Sequence, residues 1–291
     1  MAKRKAVIYV VRGAHIQLMT VSISSLLRNY NSDEKIDLII IEDDLDTRDK
    51  EIILSLPEIY NKHNINIKFN KPPKISDKIK AVKTEIGDMT LWRLFLPLEY
   101  PEYEQILYLD NDTIIYCDIS ELFDNTDINK LIGAVRDFYF YVDSEVVNLS
   151  GNFGLENLKN YVNSGIIVFN VDNYVSSFSE EYLIDTILSN TYSWPDQTII
   201  NRICVDNISY LPLQYNYQKN DEWLYNWALN RHRESASDIL EARKNVKIRH
   251  FIEFGRLSMP WQHLRIENKF ELDFYEYLYF IKKYLGNRLL D

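Results

Sequence analysis

Residues 106–115 read ILYLDNDTII, an apolar run that takes in two aspartates one residue apart and then turns apolar again. Two like charges inside a buried stretch are costly, because each carboxylate is stripped of water and each repels the other. A cation between them removes both objections, which makes Asp110 and Asp112 the first candidate site residues. In an extended backbone alternate side chains share a face, so these two are expected to point together and Asn111 the other way. Carboxylate oxygens suit hard divalent ions such as Mg²⁺ or Mn²⁺, and ligands of open α/β sheets gather at strand carboxyl ends.

Working outward, AVIYVV (6–11) and IDLIII (36–41) read as strands flanking IQLMTVSISSLLRNY, whose apolar spacing suits a helix; this is a βαβ unit. A helix over 46–60 leads to the short strand NINIKFN and a Pro-Pro break at 72 and 73. TLWRLFLPLEY is expected to be a helix ending near Pro97. Beyond the aspartates, LIGAVRDF (131–138) and YVNSGIIVFNV (161–171) read as strands, followed by helical segments SSFSEEYLIDTILSN and PDQTIINRIC and a Tyr/Trp/Asn-rich stretch over 210–231. The expected fold class is α/β, with one compact domain over 1–262 and a helical extension over 263–291. In that extension Phe270, Phe274, Tyr277, Leu278, Ile281 and Leu285 share a helical face, with Lys282, Lys283 and Arg288 beside it. Such a face either packs back on the domain or makes peripheral contact with a membrane.

The 291 residues are 46% hydrophobic, enough for a sizeable core. A formal charge of −10 argues against a nucleic-acid partner. Cys117 and Cys204 stand in no metal-binding spacing and are expected to be buried in a cytoplasmic protein. The start, MAKRKAVIYVVRG, has a basic end like a signal peptide, but its apolar stretch is too short and ends at Arg12, so it is read as the first strand. No run approaches the roughly 20 apolar residues of a membrane span.

KIRHF places His250 at the end of another short apolar run, ahead of MPW at 259–261. An imidazole joining two carboxylates tilts the preference from Mg²⁺ toward Mn²⁺. With TLWRL, ILYLDNDTII, GAVRDF, NSGIIVFN, PDQTIIN and HF…PW in that order, the chain resembles the retaining glycosyltransferases of family 8, the group of bacterial lipooligosaccharide galactosyltransferases and glycogenin. The resemblance runs from the first strand to about Trp261.

The resemblance implies a GT-A fold, a Rossmann-like mixed central sheet flanked by helices. It implies transfer of a hexose, galactose or glucose, from a nucleotide diphosphate sugar, UDP-linked in the family, to a hydroxyl of a lipid- or protein-linked glycan. Asp110, Asp112 and His250 would be the metal ligands. Arg93 and Asp137 would contact the donor sugar or its phosphates, Asn163 would lie beside the sugar and Asn111 beside the donor, and Asp196 with Gln197 would line the reacting centre. The chemistry agrees, since a divalent ion neutralises charge developing on a departing diphosphate. Taken singly each residue has an ordinary reading: Arg93 as a snorkelling side chain, Asp196 and Gln197 as a helix start, Asn163 as turn chemistry. Gln197 is a poor nucleophile, which favours front-face displacement over a covalent intermediate. The aromatic segments DFYFYVD (137–143) and YNYQKNDEWLYNW offer faces for an acceptor sugar.

Two places depart from the family pattern. Where the first strand usually ends in an acidic residue and an asparagine that read uracil, this chain has Arg12, Gly13 and Ala14, with Arg12 able to stack on a base or approach a phosphate. Where Lys-Pro-Trp usually follows the histidine, it has Met259-Pro260-Trp261, and Arg256 is the candidate replacement for the lysine. The altered pocket also fits a catalytically inactive nucleotide-sugar-binding or chaperone subunit. LYLDNDTI further matches the opening motif of haloacid-dehalogenase-like phosphatases, in which Asp110 would be a nucleophile.

Overall fold

The computed structural model describes residues 4–74, 79, 88–143, 153–156, 158–189, 191–252, 260, 263 and 265–285. Strand β1 (Arg4–Val10) is followed by helix α1 (Ile16–Asn29), β2 (Ile36–Ile41), α2 (Thr47–Ile59) and β3 (Ile65–Asn70). After a 3-10 segment over Asp88–Phe95 come β4 (Tyr103–Leu109), β5 (Thr113–Ile115), β6 (Ile132–Arg136) and β7 (Val162–Asn170). The remainder comprises α3 (Val171–Ser177), α4 (Glu180–Leu188), α5 (Pro195–Ile203), β8 (Ile208–Tyr210), α6 (Arg233–Arg243), β9 (Ile248–His250) and α7 (Lys269–Leu285), with shorter turns between.

Seven strands form one sheet in the order β3-β2-β1-β4-β7-β6-β8. β7 alone runs against its neighbours; the other pairings, β3-β2, β2-β1, β1-β4 and β6-β8, are parallel. This is the mixed sheet the βαβ start predicts. β2 is buried along its whole length, as a strand covered on both faces must be. Alternation divides β1 between two cores: Val7 and Tyr9 pack with α1, while Ala6, Ile8 and Val10 pack on the opposite side with Trp92 and Phe95. The charge within β2, Asp37, is neutralised in place by Arg4 at 3.1 Å and Lys68 at 2.9 Å, with Tyr103 Oη and Asn66 Nδ2 donating to it.

Three local expectations are corrected. TLWRLFLPLEY is 3-10 up to Phe95 and then a single α turn, Leu96–Glu99, that carries Pro97 in its first turn, where its missing N–H costs nothing. The helical stretch after β7 breaks at Phe178, and Ser179 caps α4 by accepting from the Tyr182 N–H. The aspartates are not in a strand: β4 ends at Leu109, β5 begins at Thr113, and Asp110 to Asp112 form the corner between them.

α1 holds that corner. Ser25 Oγ accepts from the Ile115 N–H at 2.9 Å, and Ser22 Oγ bridges Tyr9 Oη at 2.8 Å and Thr113 Oγ1 at 2.6 Å. Thr113 Oγ1 donates in turn to the Asp110 carbonyl. On the other side, α7 turns Phe274, Tyr277, Leu278 and Ile281 into the core shared with α1. The face that a membrane contact would use is therefore the face that packs inward; Leu285 and Arg288 lie outside what is described of side chains. Among the described residues no helix is long and apolar enough to cross a membrane. Cys117 and Cys204 are both buried and unpaired.

Candidate active site

β5 leaves the main sheet to pair antiparallel with β9, with Thr113 opposite His250. That pairing carries the histidine to the aspartate corner. Asp112 is pinned there by two backbone donors: its carbonyl accepts from Phe251 N–H at 2.9 Å and its Oδ2 from Ile252 N–H at 3.0 Å. Ile252 adopts φ 48°, an unfavourable value for a β-branched residue, and this is the backbone bend that turns its N–H toward the carboxylate. His250 Nε2 lies 3.2 Å from Asp112 Oδ1 and 3.6 Å from Asp110 Oδ2. One ligand atom from each of the three fits within 4.8 Å of the others. Burial works to raise the Asp112 carboxyl, but His250 and the backbone donors prevail and hold it below the usual carboxylate range.

Gly165 makes this close packing feasible. A Cβ there would meet His250 Cε1 at 2.2 Å and Asp110 Oδ2 at 2.6 Å, and the Gly165 carbonyl accepts from the Asp110 N–H. Two carboxylates and an imidazole, packed against a glycine backbone with their donor atoms converging, are a donor set that could hold a divalent metal ion.

The cluster opens into a cavity of about 580 Å³. Asp137, Asn163, Asp196, Gln197, Arg93 and Asn111 all line it, so elements far apart in the chain converge on the corner. Asp196 and Gln197 sit in the first turn of α5, after Trp194, which enters at φ 49° and also lines the cavity. Burial raises the Asp196 carboxyl, against the lowering effect of Arg93. Arg93 is 4% exposed and does not snorkel. It ion-pairs Asp110 at 3.2 Å and Asp196 at 3.5 Å, donates to the Ser164 and Thr90 carbonyls, and lies 4.5 Å over the Tyr108 ring. Gln197 Oε1 accepts from Ser164 N–H at 3.0 Å and Asn163 Nδ2 at 3.1 Å; Asp137 Oδ1 accepts from Tyr139 N–H. Asn111 Nδ2 donates to the Val10 carbonyl, and its Oδ1 is buried without a partner among the described residues.

At the rim the structure places one of the two expected arginines. Arg12 is exposed and is not among the described residues lining the cavity; the 3-10 turn Gly13–His15 places His15 in the wall instead, beside Val10 and Leu18. Arg256, Met259 and Trp261 lie outside the described residues. Of the aromatic segments, Tyr139 and Trp223 reach the cavity, whereas Phe138, Phe140 and Tyr217 are core. Trp227 is stacked on Tyr139 at 5.3 Å, with Arg231 over its ring, so its faces serve packing.

Four participants are not among the expected site residues. Ser164 Oγ donates to Asp196 Oδ2, and Tyr108 Oη donates to Asp110 Oδ1 at 2.6 Å. Lys219 lines the cavity, its pKa lowered by burial against the opposing pull of Asp137. Asn216, wholly buried, touches His250 and Asn163. For Tyr108 the alternation of β4 offers a signal, two residues before Asp110 on the same face; the other three sit in irregular or all-buried segments without a period. Among the described lining residues four carboxylates face only Arg93 and Lys219 as permanent cations, so the cavity asks for added positive charge before it can take a phosphate.

The profile of glycosyl transferase family 8 matches residues 6–264. A Haemophilus influenzae protein described as a glycosyltransferase is 25% identical over 210 residues, which is 70% of this chain and 60% of that protein. The chain thus spans less than two thirds of that relative. Among solved structures, the apo bifunctional glycosyltransferase WbbM superposes with a TM-score of 0.79 at 21% identity, over 97% of this chain and 52% of that one. The galactosyltransferase LgtC, solved with donor and acceptor sugar analogues, superposes with a TM-score of 0.70 at 16% identity, over 94% and 95% respectively. At these identities the likeness speaks for the fold, which is GT-A. The phosphatase reading of Asp110 loses its basis with the family match, and both oxygens of Asp110 are engaged, by Tyr108 and Arg93 on one side and by His250 on the other.

Proposed function

Because the chain belongs to glycosyl transferase family 8, we propose that it is a retaining, Mn²⁺-dependent enzyme that moves a hexose, galactose or glucose, from a UDP-linked donor to a hydroxyl of a lipid- or protein-linked glycan. The observation that carries the reading is the convergence of Asp110, Asp112 and His250, ligand atoms within 4.8 Å of one another, on the wall of a cavity otherwise short of positive charge. When bound there, the ion supplies the charge neutralisation that a departing nucleotide diphosphate needs. The two buried, unpaired cysteines fit a cytoplasmic setting.

The contacts support the following roles, and that of Arg256 is read from the sequence alone. Arg93, its guanidinium committed to Asp110, Asp196 and two carbonyls, is a positioning residue that keeps both carboxylates aimed into the cavity. Asp137 offers a carboxylate acceptor to sugar hydroxyls, Asn163 holds the Asp137 and Gln197 side chains beside the sugar through its amide, and the unpartnered Asn111 Oδ1 offers an acceptor to a donor hydroxyl. Gln197, an amide whose oxygen already accepts from Asn163 Nδ2 and from the N–H and Oγ of Ser164, is a poor nucleophile. Displacement therefore runs on the front face, with the departing phosphate taking the proton of the acceptor hydroxyl. Arg256 is assigned to the diphosphate in place of the lysine of the family's closing motif.

The test is to incubate the pure protein with Mn²⁺ and a panel of nucleotide sugars and to measure released nucleotide. Release from a UDP-sugar that disappears with Asp112→Asn or with a chelator is the expected result. No release from any donor, with or without glycan acceptors, would refute the reading and favour a non-catalytic nucleotide-sugar-binding subunit.

A further inference from the structure

His250 can present only one lone pair when its ring is neutral, and which nitrogen carries it depends on what the other nitrogen meets. A chain of side-chain amides decides this here. The backbone N–H of Gly165 can only donate, and it lies 3.0 Å from Asn163 Oδ1, so that atom is the oxygen of the amide. Asn163 Nδ2 accordingly faces acceptors, Gln197 Oε1 at 3.1 Å and Asp137 Oδ2 at 3.3 Å. The second lone pair of Asn163 Oδ1 takes Asn216 Nδ2 at 2.9 Å. Asn216 therefore turns its own oxygen to His250 Nδ1, 3.1 Å away. Every atom along the run has one assignment consistent with its neighbours, starting from a backbone N–H and ending on a carboxylate.

Resting on the reading of Asp110, Asp112 and His250 as the metal site, we propose that Asn216 is a positioning residue whose carbonyl oxygen holds the hydrogen of His250 on Nδ1, so that the Nε2 lone pair faces the ion. While no ion is bound, the two carboxylates before Nε2, at 3.2 and 3.6 Å, draw a hydrogen to that nitrogen; with the ion in place, the Asn216 oxygen is the acceptor for the one hydrogen that remains, on Nδ1. A lone pair opposed to two anions is unfavourable until a cation lies among them; once it does, the amide run holds the hydrogen on Nδ1 and keeps the ring turned to the ion. The ring has no freedom to escape by swinging, since its Cε1 and Nδ1 pack against Gly165 at distances that leave no space for a methyl group. Asn216 and His250 are both buried, at 0% and 3% exposure, so water is a poor substitute for the amide oxygen. The same run reaches Asp137, so the group that orients the metal ligand is shared with the wall assigned to the sugar.

The test reads Mn²⁺ binding to the full chain without any donor, by electron paramagnetic resonance of the free ion, alongside ¹⁵N shifts of histidine-labelled protein loaded with diamagnetic Mg²⁺. Asn216→Leu, similar in shape but without an acceptor, is expected to weaken Mn²⁺ binding about 10- to 100-fold, the effect usual for partners of a metal ligand. Asn216→Asp keeps an acceptor at Nδ1 and is expected to bind within a few-fold of the parent. In a His250→Ala background, Asn216→Leu should add nothing. The His250 nitrogens should show hydrogen on Nδ1 in the parent and a mixed population in Asn216→Leu. Hydrogen on Nε2 in the parent, or an equal Asn216→Leu effect with and without His250, would overturn the proposal even if the metal site stands. Unchanged Mn²⁺ binding in both His250→Ala and Asp112→Asn would instead remove the metal site itself, and this proposal with it.

Discussion

Gly165→Ala is the most revealing single change, because it adds one methyl group where the proposed metal ligands rest on the backbone. The new Cβ would meet His250 Cε1 at 2.2 Å, Asp110 Oδ2 at 2.6 Å and His250 Nδ1 at 2.9 Å. An ordinary carbon contact needs about 3.5 Å, so the imidazole or the β7 backbone must retreat by roughly 1 Å. Neither is the free end of a flexible chain: the ring is buried and tied to Asn216, and Gly165 is in the middle of β7. Overpacking of this kind costs about 1–3 kcal/mol of stability. Metal ligation tolerates only about 0.2 Å, so the loss in Mn²⁺ affinity is expected to reach at least about 10-fold. Gly133→Ala is the control, since its Cβ would meet Thr126 Oγ1 at 2.3 Å, among residues that do not line the site. Urea unfolding should show both variants destabilised, and titration with Mn²⁺ should show only Gly165→Ala impaired. Equal Mn²⁺ binding by Gly165→Ala and the parent would refute the claim that the ligands depend on this contact.

Arg93→Ala strips Asp110 and Asp196 of their buried cation and is expected to cost about 3–5 kcal/mol, visible as a lower midpoint in urea; Arg93→Lys should recover only part of it, lacking the planar fork. Asp37 is expected to set part of the acid limb of stability. Burial pushes its carboxyl up, but Tyr103, Asn66 and Lys68 outweigh this and its pKa is lowered, so its contribution is present above the unfolded carboxylate value of about 3.9 and fades as pH falls through the depressed folded value. The stability gap between the parent and Asp37→Asn, measured by unfolding from pH 6 downward, should therefore shrink below about pH 4; a gap independent of pH would contradict this.

The frame of the fold is more legible in the sequence than the details of the corner. β2 reads off as IDLIII with its observed bounds, and Asp46 caps α2 where the helix is expected to start. The aspartates are expected to share a strand face, yet they point together because β5 diverts to β9, a pairing between residues more than a hundred positions apart that no local period records. Arg12 looks like a ligand residue from its position after β1, but a 3-10 turn of three residues is enough to give His15 the wall. The α7 stripe announces that something covers it without saying what, and α1 supplies that cover. Asn216 is the least legible: it lies in a short 3-10 turn, buried completely, and acquires its meaning only from the two side chains it touches.

Pulsed electron paramagnetic resonance of Mn²⁺ bound to the protein with UDP bears most directly on the site. A ¹⁴N coupling from one imidazole that vanishes in His250→Ala, together with ³¹P couplings from the diphosphate, is the predicted spectrum. Mn²⁺ showing neither nitrogen nor phosphorus in its coordination, while the nucleotide is bound elsewhere, would contradict the assignment.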